Sequence, residues 1–142
     1  MTRSILPESW ALPLVDETNR EFFTSGRLKV QKCAACGIVQ HPPEDVCHAC
    51  GGMQFEYPEA SGRGTVWSHT IVRHPVHPAL ADVVPYAVAL VALEDHPHVR
   101  IVGNVVNVPP EQVQVGLPVR VTFDAVRDEY GEVLLPQWEA MA

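Results

Sequence analysis

Two copies of one five-residue pattern, Cys33-Ala-Ala-Cys36-Gly37 and Cys47-His-Ala-Cys50-Gly51, contain all four cysteines of the 142-residue chain. The two-residue spacing lets both sulfurs of a unit point at one ion from a tight turn. The glycine after each unit can take the left-handed backbone conformation that aims N–H groups at sulfur. Two units supply four thiolates, enough for a tetrahedron, and a structural zinc ion is the expected occupant, with iron the chemically competent substitute. A thioredoxin-like redox pair needs only one such unit in a βαβ setting, and two disulfides need an oxidising compartment. His41 lies between the units and His48 inside the second. Both are weaker candidates for the ion, because four cysteines already complete its shell.

A closed set of four protein ligands serves folding rather than catalysis. The roughly 27 residues of 32–58 are fewer than apolar burial alone can hold folded. Metal supplies the missing free energy.

Composition narrows the rest. With 46% apolar and 19% charged residues the chain can fill a core and is not disordered, while 13 prolines argue against a helical bundle. Seventeen acidic against ten basic residues, a formal charge of −7, disfavour a nucleic-acid partner, because counterion release needs clustered cations. Four ligating thiolates less one zinc dication add a further −2 to that charge. No stretch of about eighteen apolar residues occurs, and residues 1–13 lack the apolar run of a signal peptide. A soluble, cytoplasmic protein without a membrane partner is expected.

The chain divides into an N-terminal helical segment (1–31), a zinc ribbon (32–58) and a β domain (59–142). Residues 14–25 place Leu14, Thr18 and Phe22 four apart, with Gly26 at the expected stop, and read as a short amphipathic helix. Strands are expected at 64–73, 85–94, 98–106, 117–124 and 132–138, with one helical turn between the third and fourth. Five short strands with that insertion fit a five-stranded barrel of the OB type, so the fold class is mainly β. On the second strand Tyr86, Val88 and Leu90 face one way and Ala87, Ala89 and Val91 the other. Neither face is polar. The alanine-rich face is expected to lie outside, under the helix, the cysteine segment or another subunit.

No glycine-rich phosphate loop, GxSxG elbow or HExxH helix occurs. Ser68 and His69 are neighbours on a strand, so they face opposite sides and cannot form a nucleophile–base pair. His74, His77 and Asp82 could make a second metal site, but two prolines there favour an ordinary loop. Trp67 and Trp138 read as core residues before partner contacts. A single-stranded nucleic-acid module is the alternative reading of a ribbon joined to an OB barrel. It needs stacking aromatics over a positive groove, whereas aromatic residues make up 7% of the chain and the strand cations are chiefly Arg73, Arg100 and Arg120.

The order of short motifs is itself informative. Asp16 and Phe22-Phe23 precede Gly26-Arg-Leu-Lys-Val-Gln-Lys-Cys33, and Gln40-His-Pro-Pro43 separates the two CxxCG units. Ser61-Gly-Arg-Gly-Thr-Val66, Pro85-Tyr86, Val115-Gly-Leu-Pro-Val119 and Leu135-Pro136 come after them. Over almost its whole length the chain resembles the family of acyl-CoA-associated proteins that join a rubredoxin-like zinc ribbon to an OB fold. It departs from many relatives in lacking proline after the first cysteine of a unit, which leaves the sulfur spacing unchanged. The resemblance implies an auxiliary subunit that docks on a thiolase-superfamily protein, in some cases beside a hotdog-fold hydratase, and holds or channels a CoA-thioester. It further implies retro-aldol cleavage, as in steroid side-chain shortening, or thiolysis. The carbon–carbon chemistry would belong to the partner of an aldolase (lyase) or acyltransferase complex, with no catalytic residue in this chain. Phosphates of a bound CoA need cations, and Lys32, Arg63 and Arg73 lie around the expected ribbon-to-barrel junction. The neutral pantetheine and acyl parts are expected along 62–66 and the alanine-rich strand.

Overall fold

A computed structural model describes residues 6, 7 and 10–141. The expected 14–25 helix shrinks to α1, Arg20–Thr24. Local side-chain bonding displaces the rest. The Asp16 N–H donates to Asn19 Oδ1 at 2.8 Å, the Asn19 N–H to Asp16 Oδ1 at 2.9 Å, and Asn19 Nδ2 to the Leu14 carbonyl at 3.0 Å. Such bonds offer the backbone an alternative to the helical ladder. Leu14 is consequently 78% exposed, whereas Phe22 is buried.

The ribbon is a three-stranded antiparallel sheet in which β1 (Gln31–Cys33) lies between β2 (Val39–Gln40) and β3 (Phe55–Glu56). Gln31 pairs with Gln40 and Cys33 with Phe55. Backbone bonds tie its two ends together at the entry to the barrel: the Val30 N–H donates to Pro58 O at 3.0 Å and the Ala60 N–H to Leu28 O at 2.8 Å. Leu28, Val30 and Val39 join the apolar cluster that contains the barrel core.

All five expected strands form. They are β4 (Arg63–Val72), β5 (Tyr86–Leu93), β6 (Arg100–Asn104), β7 (Pro118–Asp128) and β8 (Gly131–Ala140), with a 3-10 turn at Pro110–Gln112 between the third and fourth. They are hydrogen-bonded in the order β6-β5-β4-β7-β8, every named pair antiparallel. A parallel bridge between Val105 and Trp138, with the Val106 N–H donating to Trp138 O at 2.9 Å, joins the two outer strands. This closure makes the sheet an OB-type barrel.

The interior corrects one expectation. Ala87, Ala89, Val91 and Leu93 point inward and are buried, whereas Tyr86, Val88 and Leu90 face outward and are half-buried. Volume explains the choice: Trp138 fills the barrel with no exposure, so small side chains must stand near it. At Gly103 a Cβ would lie 2.8 Å from Trp138 Cδ1. The face that needs cover is thus the tyrosine face. Trp138 is core, as expected, but Trp67 is not. It sits where the β4–β5 register shifts, between Val66 and Ser68, and is 51% exposed with the Arg100 guanidinium 3.8 Å from its ring centroid. No helix among the described residues is long and apolar enough to cross a membrane.

Candidate metal centre and apolar cleft

Each CxxCG unit folds into the same loop. The Gly37 N–H donates to Cys33 O at 2.9 Å and the Cys33 N–H to Ile38 O at 2.9 Å. In the second unit the Gly51 N–H donates to Cys47 O at 3.0 Å and the Cys47 N–H to Gly52 O at 2.8 Å. Gly37 and Gly51 have φ of 79° and 76°, the left-handed conformation the loop requires. The Ala49 N–H points at Cys47 Sγ and the Gly52 N–H at Cys50 Sγ, each at 3.4 Å.

The four sulfurs lie within 4.8 Å of one another, with Cys33 Sγ 3.6 Å from Cys50 Sγ and Cys36 Sγ 3.7 Å from Cys47 Sγ. Zinc–sulfur bonds of about 2.3 Å put the corners of a tetrahedron about 3.8 Å apart. The donor set therefore fits one thiophilic ion. Ionisation agrees. The backbone N–H of Cys36, against the opposing effect of burial, holds the Cys33 thiol down at about 6, and that of Cys50 lowers Cys47 likewise. The N–H groups of Ile38 and Gly52 also favour thiolate at Cys36 and Cys50. There burial and the neighbouring sulfurs outweigh them, raising Cys36 and pushing Cys50 up to about 12. Four thiolates cannot share this volume without a cation, which an ion held by Cys33, Cys36, Cys47 and Cys50 would supply.

Neither histidine joins this set. Two buried glutamines brace it instead. Gln31 Oε1 accepts from Gln40 Nε2 at 2.7 Å and from the Glu44 N–H at 2.9 Å, while Gln40 Oε1 accepts from the His48 N–H at 3.0 Å. The second cysteine loop is thereby tied to β1 and β2. Sequence reading missed both residues, although Gln40 begins the Gln-His-Pro-Pro motif. His74, His77 and Asp82 form no metal-ligating group. His77 Nδ1 accepts from the Ala79 N–H at 3.0 Å, and its ring packs edge-on against Trp10.

A cleft of about 550 Å³ opens where helix, ribbon and barrel meet. Phe22 and Phe23 form one wall, His41, Pro42 and Pro43 a second, and Tyr86, Val88 and Val102 a third, with Leu135 and Pro136 closing it. No lining residue carries an acidic or cationic side chain. His41 stays neutral as well: burial pushes its pKa down to about 4, its ring lies 5.0 Å from that of Phe22, and Nδ1 is buried without a partner.

The three cations named from the sequence stand apart from this cleft. Lys32 is on β1, opposite Val39 and Glu56. Arg63 begins β4 and makes no ion pair among the described residues, whereas Arg73 lies just beyond the other end of β4, 3.6 Å from Glu111. Ten extended residues separate those arginines by about 30 Å, too far for both to hold one phosphate.

Comparison with known proteins agrees with this architecture. Residues 20–56 match the family model of the ChsH2 rubredoxin-like zinc ribbon domain, and residues 57–124 that of the ChsH2 C-terminal OB-fold domain. A solved structure described as "Ltp2-ChsH2(DUF35) aldolase" has a chain that superposes with a TM-score of 0.76 at 34% identity, covering 91% of this chain and 98% of that one. The chain belongs to the ChsH2 zinc-ribbon and OB-fold family. Two relatives are longer proteins. A "Probable enoyl-CoA hydratase alpha subunit" of Thermomonospora curvata is 38% identical over 110 residues, 75% of this chain and 33% of that protein. The "3-oxo-4,17-pregnadiene-20-carboxyl-CoA hydratase alpha subunit" of Mycobacterium tuberculosis is 35% identical over 106 residues, 72% of this chain and 32% of that protein. The chain spans about a third of the length of these two relatives.

Proposed function

We propose that this chain is the auxiliary subunit of a thiolase-like aldolase acting on CoA-thioesters of the steroid side-chain type. Its near-complete superposition on a chain of an aldolase complex carries the reading. The chemistry of its side chains is consistent with a non-catalytic role. The cysteine centre is closed by four protein ligands, and Ser68 is exposed while His69 faces the other side of β4, opposite Ala89. Bond cleavage is then the partner's task.

The neutral parts of the thioester, the pantetheine arm and the acyl group, fit the uncharged cleft, whose size lies within the usual range of small-molecule sites. This slot replaces the one expected along the alanine-rich strand, which faces the barrel core. Lys32, Arg63 and Arg73 remain the candidate phosphate contacts, each acting singly, with Lys32 and Arg63 the two that make no ion pair among the described residues. Zinc is the proposed ion of the ribbon.

Co-expression with a candidate thiolase-like protein from the same genome, followed by co-purification and an acyl-CoA cleavage assay, tests the reading. A stable complex with retro-aldol activity is expected. A partner that is soluble and fully active alone overturns an obligatory role. Binding of single-stranded DNA that weakens steeply between two salt concentrations would favour the nucleic-acid alternative.

A further inference from the structure

The barrel closes at a seam between β6 and β8, and two side-chain amides stand there beside the Val105–Trp138 bridge. The Asn104 N–H donates to Gln137 Oε1 at 2.6 Å, and Asn104 Nδ2 donates to the Ala87 carbonyl at 3.0 Å. These bonds occupy one end of each amide and fix its orientation. The opposite ends, Asn104 Oδ1 and Gln137 Nε2, have no partner among the described residues, and neither atom is sealed from solvent. Both residues line the cleft, Gln137 with only 7% of its surface exposed. Asn104 pairs with Val88, so its side chain stands on the outward face of the barrel that forms the third wall. Bracing the seam uses one end of each amide. One acceptor and one donor are left over, in a cleft that otherwise offers apolar and aromatic surface and no charged side chain.

Resting on the function proposed above, we propose that Asn104 and Gln137 form an amide-reading floor that holds the pantetheine arm of the CoA-thioester, with the acyl group outside the cleft. The chemistry of the pair selects that part of the ligand. A secondary amide is planar and trans, with its C=O and N–H on opposite edges. Laid across the seam, its carbonyl accepts from Gln137 Nε2 and its N–H donates to Asn104 Oδ1. A hydrocarbon chain or fused hydrocarbon ring would instead cover both ends and give them nothing to bond, and polar groups stranded in this way cost a ligand about tenfold or more in affinity. A phosphate or carboxylate meets the opposite obstacle, since it would lose its hydration in a cleft with no cation on its walls. The methyl and methylene groups of the arm suit Phe22, Phe23, Val88 and Leu135, which stand above the floor. This chain then recognises what all CoA-thioesters share and leaves the choice of acyl group to the catalytic subunit.

The test uses the metal-loaded full chain and follows the binding of pantetheine, butyryl-CoA, octanoyl-CoA and octanoate by nuclear magnetic resonance titration. Wild type is expected to bind pantetheine, to bind the two thioesters within about threefold of each other, and to show no competition by octanoate. Asn104→Leu and Gln137→Met, which keep the side-chain volume, are each expected to weaken pantetheine by about tenfold or more without weakening octanoate. That change of preference is something a merely structural role at the seam would not produce. Arg127→Glu, on the β7–β8 hairpin, is expected to stay within about threefold of wild type. Metal content and the thermal transition of each purified variant report that folding is intact. Variants that hold pantetheine as tightly as wild type overturn the assignment, as does a wild-type chain that binds no pantetheine. An affinity that follows acyl length, with octanoate competing, gives the cleft to the acyl group and overturns it too. Pantetheine binding that disappears in the complex with a thiolase-like protein, or as the concentration of the chain itself rises, gives the cleft to a protein segment with the same result. Each of these outcomes leaves co-purification and thioester cleavage, the test of the proposed function, to stand or fall separately.

Discussion

The ribbon and the barrel sit against one another and are held together by opposite means. In the ribbon a few strong, directional interactions act on short segments: four sulfurs around one point, and two glutamines whose amides bond the backbone at Glu44 and His48. In the barrel a single large side chain, Trp138, is surrounded by alanine, valine and glycine in many weak contacts. Removing the metal or one of its cysteine ligands should therefore collapse the ribbon as a unit, whereas removing one barrel contact should only soften the barrel.

Metal withdrawal tests that contrast most severely. Chelation, or Cys47→Ser, is expected to release about one zinc per chain and open 28–58 to protease, while the barrel keeps its far-ultraviolet spectrum and a thermal transition. A metal-free preparation with an intact ribbon would break the comparison. In the barrel, Trp138→Ala should cost about 3–5 kcal/mol in urea denaturation and leave the metal content unchanged.

The next effect depends on pH and belongs to the seam between the two regions. His41 titrates at about 4 in the folded chain, against an ordinary 6.5. Between those values the unfolded chain binds a proton that the folded chain refuses, so stability is lost as pH falls from 6.5 towards 4. The loss amounts to about 3 kcal/mol. The difference between wild type and His41→Phe, followed across that window, isolates it from protonation of the cysteine ligands. A difference that does not change with pH would place the His41 ring in water. Smallest is Gln40→Ala, which strands the His48 N–H and should cost about 1–3 kcal/mol, read as a lowered ribbon transition with metal still bound.

What could be read from the sequence divides by distance along the chain. The cysteine centre was legible because its determinants, two spacings and two glycines, are local. The five strands were legible from their alternation and the turn residues between them. The helix was overestimated because its period was real but Asp16 and Asn19 bond each other's backbone instead of leaving it to the ladder. The inward face of β5 is opposite to the one expected, since both faces are apolar and the deciding volume, Trp138, arrives three strands later. The cleft was invisible for the same reason: 19–23, 41–43, 86–104 and 135–137 meet only after the barrel closes.

The strand order carries a consequence for synthesis. β4 lies at the centre of the barrel sheet, yet Arg63 pairs with Arg120, and closure waits for Trp138 to reach Val105. Domains are made from the N-terminus onward, and pairings between distant residues form slowly. All three ribbon strands and all four cysteines are synthesised before β4, so with metal present that part can be finished before the barrel. Meanwhile the interior of β5 stays open to the cell until the final strand has been made. Any nascent chain that stalls before Trp138 would expose Ala87, Ala89 and Val91 together, with a completed metal site as its folded handle.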